Sequence, residues 1–259
     1  MKTVRIRRPI VLALICCAIL LFGMDMRAAQ RFSALVFSKT LLFRHASITN
    51  GIAAIKDLGA ANHFDVDATE DSSVFTGNNL SKYRVVILLS TSGEIFNDAQ
   101  KTALKNFVEK GGGLAGIHAA VAGDLATEGN WSWYADALCA QFTNHSSVVQ
   151  ATVRIEDRKN PSTATLPANW IRTDEWYNFI SSPRAKAHVL ASLDESTYKG
   201  GTMGRDHPIA WCRKIGKGRV WYTALGHTSA SYMEPLFLEH LLGGIRLAAG
   251  VSSGDFNPK

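Results

Sequence analysis

Short apolar runs alternate with amphipathic stretches through the first half of the chain, a pattern that is typical of a parallel α/β sheet. The run 83–89 is almost continuously apolar, as expected for a strand buried on both faces. The stretch 97–110 places Leu104, Phe107 and Val108 on one helical stripe, and Gly111 ends it. The alternation predicts strands over 33–37, 64–69, 83–89 and 113–117, with helices over 48–58 and 97–110.

The pattern becomes less regular after residue 120. It predicts a helix over 131–142, a strand over 147–156, a loop over 160–167, strands over 189–193, 208–212 and 218–225, and a closing helix over 234–249. Some of these strands have no helix between them and are expected to be antiparallel. The sequence therefore predicts one α/β domain over 30–250. Its sheet is doubly wound and mostly parallel, with helices on both faces and a partly antiparallel extension, and a loose tail follows over 251–259.

The N-terminal segment has the layout of an export signal. Basic residues lie within 2–8, the apolar run 9–22 follows, and the small residues Ala28 and Ala29 come next. We predict a signal peptide over 1–29 and a secreted or periplasmic protein. Arg27 or Met26 occupies a position where the signal peptidase prefers a small residue, so an uncleaved membrane anchor is the alternative. The apolar run is shorter than the roughly 20 residues that span a bilayer, which favours cleavage.

The basic charge of the chain lies mainly in this segment. The formal net charge is +6, and the segment contributes Lys2, Arg5, Arg7, Arg8 and Arg27. The basic residues of the remainder are dispersed and nearly balanced by acids. This distribution excludes the basic stripe of a nucleic-acid-binding protein. The sequence does not indicate an oligomeric state.

Two cysteines, Cys139 and Cys212, remain outside the signal segment. They could pair in an oxidising compartment, although two buried free thiols are the favoured interpretation. No CxxC or Cys/His zinc spacing is present, which argues against a structural zinc module. The GxGxxG fingerprint is absent after the first strand, so nothing indicates NAD or flavin.

Polar and titratable residues follow four of the predicted strands. Ligands of open α/β sheets bind beyond the carboxyl ends of the strands, so these residues are expected to share one edge. They are Lys39, Arg44 and His45 after the first strand, Thr91 and Glu94 after the third, His118 after the fourth, and His227 after the last.

His118 occupies a glycine-rich turn, Gly-Leu-Ala-Gly-Ile-His-Ala-Ala, that resembles the nucleophile elbow of hydrolases and amidotransferases. An imidazole suits acid/base work or metal ligation better than formation of a lasting acyl-enzyme. A cysteine-dependent amidotransferase reaction is therefore argued against. A purely structural role for His118 is about equally compatible with the pattern.

A second group of candidates combines carboxylates with aromatic rings, and it is expected to form a loop over 170–178. Asp174 and Glu175 lie beside Trp176 and Tyr177, and aromatic faces next to hydrogen-bonding groups suit a sugar ring. Solvated acids on a loop packed by its own aromatics are the alternative. Trp131 and Tyr134 offer more aromatic surface of the same kind, and His207 is a further binding candidate.

The sequence also leaves open a divalent metal held by histidines. His118, His145, His207 and His227 are the candidate ligands, because neutral imidazoles with a carboxylate suit zinc. No compact ligand motif such as HExxH is present.

An ordered set of segments resembles the ThuA-like family, which is associated with trehalose utilisation. The matching segments lie at 37–45, 112–120, 174–178, 194–198, 201–211 and 225–228. The resemblance implies a flavodoxin-like fold of the class I glutamine amidotransferase type without its nucleophile, and a link to sugars that includes 3-keto glycosides. Lys159-Asn160-Pro161 departs from the family pattern, in which a histidine is expected before the proline.

These observations favour an exported enzyme acting on a glycoside or keto-sugar. His118 would be the acid/base, assisted by His45, His227 and Glu175, which could instead ligate a metal. The alternative is a non-catalytic sugar-binding protein on the same fold, which the missing Ser or Cys nucleophile favours. A metal-dependent hydrolase is the third hypothesis. A small carbohydrate is the expected partner in each case.

Overall fold

The computed structural model describes residues 31–122 and 128–258, and the predicted signal peptide lies outside them. A nine-stranded sheet forms its centre. One half is parallel, in the spatial order β2, β1, β3, β4, β11. These strands are β1 (Ser33–Phe37), β2 (Asp65–Thr69), β3 (Val85–Leu89), β4 (Gly113–Ile117) and β11 (Gly218–Thr223).

The other half of the sheet is antiparallel and continues from β11 in the order β10, β9, β6, β7. These strands are β6 (Val149–Ile155), β7 (Asn169–Asp174), β9 (His188–Asp194) and β10 (Pro208–Ile215). A separate two-stranded ribbon pairs β5 (Phe142–His145) with β8 (Tyr177–Phe179). The predicted α/β fold, with a parallel core and antiparallel strands, is confirmed.

The helices are α1 (Ile48–Ala61), α2 (Gly77–Leu80), α3 (Asp98–Glu109), α4 (Glu128–Leu138) and α5 (Pro235–Ala249). Asn97 and Gln100 form a reciprocal capping box at the start of α3. Gly250 ends α5 at φ 72°, a left-handed conformation in which glycine carries no steric penalty. Among the helices of the described residues, none combines the length and apolar content that a membrane crossing needs.

The core forms because the central strands carry apolar side chains on both faces. Every residue of β3 and β4 is buried. α5 packs on β3, β4 and β11 beside α1, while α3 packs on β4 and β11 beside α2. Burying this apolar surface is the main driving force for the fold, and it fixes the carboxyl ends of β1, β3, β4 and β11 along one edge.

Two segments differ from the sequence-based expectation. The helix predicted over 131–142 ends at Leu138, since Cys139 takes a left-handed φ of 55°, and Phe142 begins β5 instead. The segment 170–178, predicted as a loop, contains β7 and β8. Arg172 and Asp174 occupy buried positions of β7, so the usual alternation of apolar and polar residues is hidden.

The tail beyond α5 returns along the antiparallel strands. The carbonyl oxygen of Asn257 lies 2.8 Å from Nδ1 of His188, and Cys212 donates its Sγ–H to the carbonyl of Asp255 at 3.3 Å. Cys139 and Cys212 are both free thiols. The segment predicted as loose therefore packs on β9 and β10.

Candidate functional site

Three histidines and one glutamate converge at the carboxyl edge of the parallel strands. His45 follows β1, His118 follows β4 directly, and His227 follows β11. Glu175 comes from the junction between β7 and β8, so the antiparallel half completes the group. We call these four residues the histidine centre. His45, His118 and Glu175 are buried, and His227 is half-buried.

His118 is held in one orientation by its backbone and by one ring nitrogen. Its φ of 51° lies in the left-handed region, which turns the chain sharply at the end of β4. Nδ1 lies 2.8 Å from the carbonyl oxygen of Ala224, which can only accept, so Nδ1 carries the proton. In the neutral ring, Nε2 therefore presents its lone pair to the centre. Histidine ligands of metals are commonly fixed by such a second hydrogen bond.

Four of the six separations between the donor atoms of the histidine centre lie close to the spacing of a tetrahedral metal site. Nε2 of His118 lies 3.1 Å from Nε2 of His45, 3.3 Å from Nδ1 of His227 and 3.5 Å from Oε2 of Glu175. Nδ1 of His227 lies 3.1 Å from the same carboxylate oxygen. Four ligands at about 2.0–2.2 Å from a zinc ion would be separated by roughly 3.3–3.6 Å. All four donor atoms lie within 4.8 Å of one another, so the group could hold one metal ion.

The protonation states of the centre also favour a cation. Burial lowers the pKa of His45 to about 3, and His118 and His227 add to this effect, so the ring is neutral near pH 7. Burial alone would raise the pKa of Glu175, but the contacts of its carboxylate with the rings of His118 and His227 outweigh burial and bring the pKa to about 2. The hydrogen bond with Glu175 raises the pKa of His227, so a metal would compete there with a proton.

Asp174 supports the centre from behind. Its carboxylate is fully buried and accepts the backbone N–H groups of Gly226 at 2.9 Å and His227 at 3.1 Å. It also accepts the N–H of Glu175 at 3.0 Å and pairs with Arg172 at 3.0 Å. Asp174 therefore positions two members of the centre through their backbones, while its own oxygens are engaged.

A glycine is required just before His227. Gly226 has φ 104°, and a Cβ there would meet the hydroxyl of Tyr232 at 2.8 Å. The turn brings both N–H groups onto Asp174 and delivers the ring of His227 to Glu175.

Three residues of the histidine centre, His45, Glu175 and His227, line a cavity of about 310 Å³, at the lower end of the range for small-molecule sites. His118 contacts all three from outside the lining. His145 also faces the cavity, with Nδ1 3.0 Å from Oε1 of Glu175 and 2.8 Å from the carbonyl of Ser146. Aromatic and apolar residues make the remaining walls. They include Leu42, Phe43, Ala119, Ala122, Phe142 and Tyr177.

Of the predicted substrate-binding residues, the structure brings Tyr177 to this cavity. Its ring centroid lies 4.2 Å from that of His118. His145, proposed from sequence only as a metal ligand, joins it there.

The structure places the other predicted binding residues outside the cavity walls, each with a partner of its own. Lys39 donates to Ser72, Arg44 pairs with Glu70, and the indole of Trp176 donates to the carbonyl of Val149. His207 is buried between Glu195 and the carbonyl of Tyr177. The hydroxyl of Tyr134 donates to the carbonyl of Ala120, Thr91 is buried beside it, and Trp131 stacks on Tyr134. Asp174 is engaged as described above, and Glu94 is exposed and lies outside the lining.

Sequence reasoning missed the apolar side of the cavity. Leu42 and Phe43 are not predicted as binding residues because they lie in a mainly polar segment. Three consecutive large apolar residues in a loop, Leu41 to Phe43, are the signal that identifies them. Phe142 was placed in a helix and therefore not considered.

The chain is similar to proteins of one family in sequence and structure. A family model described as ThuA, trehalose utilisation, matches residues 33–248. A ThuA-like protein of Bacteroides uniformis ATCC 8492 superposes with a TM-score of 0.73 at 26% identity, covering 87% of this chain and 94% of that one. A ThuA-like protein of Parabacteroides merdae ATCC 43184 gives 0.70 at 20% identity, covering 85% and 90%.

A more distant likeness concerns the fold alone. The β-galactosidase of Bacillus circulans sp. alkalophilus gives a TM-score of 0.56 at 15% identity, covering 88% of this chain and 32% of that one. No curated protein matches the chain in sequence.

Proposed function

This chain belongs to the ThuA family, described as trehalose utilisation, and we propose that it is an exported, metal-dependent enzyme that acts on a glycoside or keto-sugar. The observation that carries the proposal is the convergence of the four donor atoms of His45, His118, His227 and Glu175, all within 4.8 Å of one another, beside a cavity. The family supplies the link to carbohydrates. Export is proposed from the basic and apolar pattern of residues 1–29.

A divalent metal in this centre would act as a Lewis acid on a substrate carbonyl or hydroxyl. Zinc suits three imidazoles and one carboxylate. The remaining chemistry falls to the side chains of this cavity. Tyr177 and Phe142 offer faces for the C–H side of a sugar ring. Glu175 and the carbonyl of Ser146 both lie at Nδ1 of His145, which leaves Nε2 as the nitrogen available to a ligand.

Keto-sugars are the best chemical fit because a ketone is both a metal ligand and an activating group. A carbonyl polarised by a metal acidifies the adjacent C–H bond, and a neighbouring imidazole can take that proton. A hydroxyl-only sugar offers no such acidic C–H bond. We therefore propose 3-keto glycosides as the first substrates to test.

The test is a mass-spectrometric turnover screen of the purified protein with glucosides, trehalose and their 3-keto forms, with and without added zinc. The variant is His118→Asn, because asparagine tolerates the left-handed backbone at this position. The matched control is His63→Asn, at a second left-handed histidine (φ 62°) outside the histidine centre. We expect a metal-dependent product that His118→Asn abolishes and His63→Asn retains.

Saturable sugar binding without product in the folded, metal-loaded protein would overturn the enzymatic proposal and favour the non-catalytic sugar-binding alternative. Equal turnover by wild type and His118→Asn would show that the reaction occurs elsewhere. Export is tested separately by locating the protein in cell fractions and sequencing its mature N-terminus.

A further inference from the structure

A second hollow adjoins the histidine centre. It has a volume of about 250 Å³ and shares Phe43, His45 and His227 with the 310 Å³ cavity. Its remaining walls include Ala46, Ser47, Val148 and Thr228. We call it the outer hollow. A ligand at the histidine centre can therefore extend in two directions, one on each side of Phe43.

The walls of the outer hollow are apolar at the surface of the protein. Phe43 is 67% exposed and Val148 is 45% exposed, although both are large apolar side chains. Leu42, 56% exposed, continues the apolar surface on the side of the cavity. A contiguous apolar patch at the mouth of a binding site indicates that a ligand or partner covers it.

Hydrogen bonds to Ser92 hold the loop that carries Phe43 at the carboxyl edge of the parallel strands. Ser92 donates its hydroxyl to the carbonyl of Phe43 at 2.9 Å, and Leu41 donates its backbone N–H to the carbonyl of Ser92 at 2.8 Å. The ring of Phe43 meets the ring of His45 edge-on, with centroids 4.8 Å apart. These contacts hold an apolar side chain against the candidate metal centre.

Two of the three hydroxyl groups that line the outer hollow, those of Ser47 and Thr228, already form hydrogen bonds within the protein. Ser47 donates to the carbonyl of Gly226 at 3.3 Å, and Thr228 caps the following turn through the N–H of Ser231 at 3.2 Å. A second sugar placed here would lose hydrogen bonds to water and recover few of them. Unpaired polar groups of this kind weaken binding, whereas an apolar group gains affinity from burial.

We propose that the outer hollow binds an apolar aglycone, an alkyl or aromatic group attached to the sugar, so that the substrates of this chain are glycosides of apolar alcohols rather than disaccharides. The sugar occupies the cavity between Tyr177, Phe142 and His145, and the bond to the aglycone lies near His45 and His227. This inference rests on the proposed carbohydrate function.

The test compares three probes by isothermal titration calorimetry on the full-length mature protein: phenyl glucoside, methyl glucoside of the same anomeric configuration, and trehalose. The variant is Val148→Ser. The matched control is Ile180→Ser, since Ile180 is an exposed apolar residue outside the 310 Å³ cavity and the outer hollow, at 62% exposure. Both positions are at the surface, and thermal melting checks that each variant is folded.

Wild type is expected to bind phenyl glucoside at least about tenfold more tightly than methyl glucoside or trehalose. In Val148→Ser the ratio between phenyl and methyl glucoside should fall to about two- to threefold, because the aglycone loses its apolar contact. Ile180→Ser should keep the wild-type ratio.

Equal affinity for trehalose and phenyl glucoside, or an unchanged ratio in Val148→Ser, overturns the aglycone inference and leaves the sugar function standing. No binding of any of the three probes also overturns the aglycone inference, while the proposed function is decided separately by the turnover screen with 3-keto glycosides. Sedimentation showing a dimer that Val148→Ser converts to monomer would also overturn the inference, since a second copy would then cover the patch.

Discussion

Two sets of buried histidines in this protein differ in what their ring nitrogens face. His188 meets the carboxylate of Asp157 and the carbonyl of Asn257, each at 2.8 Å. His207 meets Glu195 at 2.7 Å and the carbonyl of Tyr177 at 2.8 Å. In the histidine centre, by contrast, Nε2 of His118 faces a ring nitrogen of His45 at 3.1 Å and one of His227 at 3.3 Å, beside a single carboxylate.

The comparison shows that burial alone does not separate a functional histidine from a structural one. His118, His188 and His207 are all fully buried. Both ring nitrogens of His188 and of His207 have hydrogen-bond partners within the protein, and these contacts link segments that are distant in sequence. In the histidine centre, nitrogen lone pairs lie close together, and the protein supplies too few hydrogen-bond donors to face them. A bound cation would satisfy this arrangement. The predictions below test this difference.

The largest expected effect comes from removing the carboxylate behind the centre. Asp174→Ala should lower the free energy of unfolding by about 3–5 kcal/mol, because it leaves Arg172 buried without its closest charged partner and frees the backbone of Gly226 and His227. Urea denaturation measures this. The control is Asp136→Ala, which removes a half-exposed carboxylate that pairs with Lys186 at 3.1 Å and with Arg213 at 3.4 Å and should cost under about 1 kcal/mol. A similar small loss in both variants would mean that Asp174 does not hold the centre.

The next prediction separates the two sets of histidines by metal affinity. Glu175→Gln should weaken zinc binding by more than the roughly 10–100-fold that outer-shell partners contribute, because it removes a direct ligand. His188→Asn should leave the affinity within about threefold, since it contacts Asp157 and the C-terminal tail. Competition with a chromogenic chelator measures both constants. If Glu175→Gln and His188→Asn weakened zinc binding equally, the histidine centre would not differ from His188 and His207 as a metal site.

Sequence patterns predicted the parallel half of the fold because its strands obey a single rule. β3 and β4 are apolar on both faces, so their runs are visible without knowledge of the structure. β7 escaped prediction because its buried positions hold Arg172 and Asp174, whose burial depends on partners distant in sequence.

The candidate site was predictable where a residue follows a strand and not where a side chain depends on packing. His118 and His227 come immediately beyond β4 and β11, and parallel topology alone brings them to one edge. Trp176 comes from the same carboxylate–aromatic segment as Tyr177, and His207 is a separate binding candidate, but hydrogen bonds to Val149 and Glu195 hold these two side chains outside the cavity. No local pattern encodes those bonds.

A smaller effect is expected at His240, a buried histidine whose ring is neutral and whose two ring nitrogens have hydrogen-bond partners. Burial lowers the pKa of His240 to about 4 from its ordinary value of 6.5. Between these two pH values His240 binds a proton in the unfolded chain but not in the folded chain. Its contribution to the free energy of unfolding is therefore full above pH 6.5 and declines as pH falls toward 4. Between pH 7 and pH 5 this histidine should cost about 2 kcal/mol.

His240→Asn isolates this contribution, because it removes the titrating ring beside Ser162 and Thr223 while other groups stay. The unfolding free energies of wild type and variant, measured from pH 7 to pH 5, should converge as pH falls. A difference that stays constant across this range would show that His240 does not titrate with folding.

The smallest effect is expected at Arg44, which the sequence assigned to substrate binding. Its guanidinium pairs with Glu70 at 2.6 Å, and both side chains are about half exposed, so solvent screens the pair. Arg44→Ala should change the free energy of unfolding by less than about 1 kcal/mol and should leave the affinity for phenyl glucoside within about twofold. The reason is that Arg44 lines neither the 310 Å³ cavity nor the outer hollow, whereas its neighbours Phe43 and His45 line both. A tenfold loss of sugar affinity in Arg44→Ala would place a charged group in the binding site and break the contrast between an apolar mouth and a histidine centre.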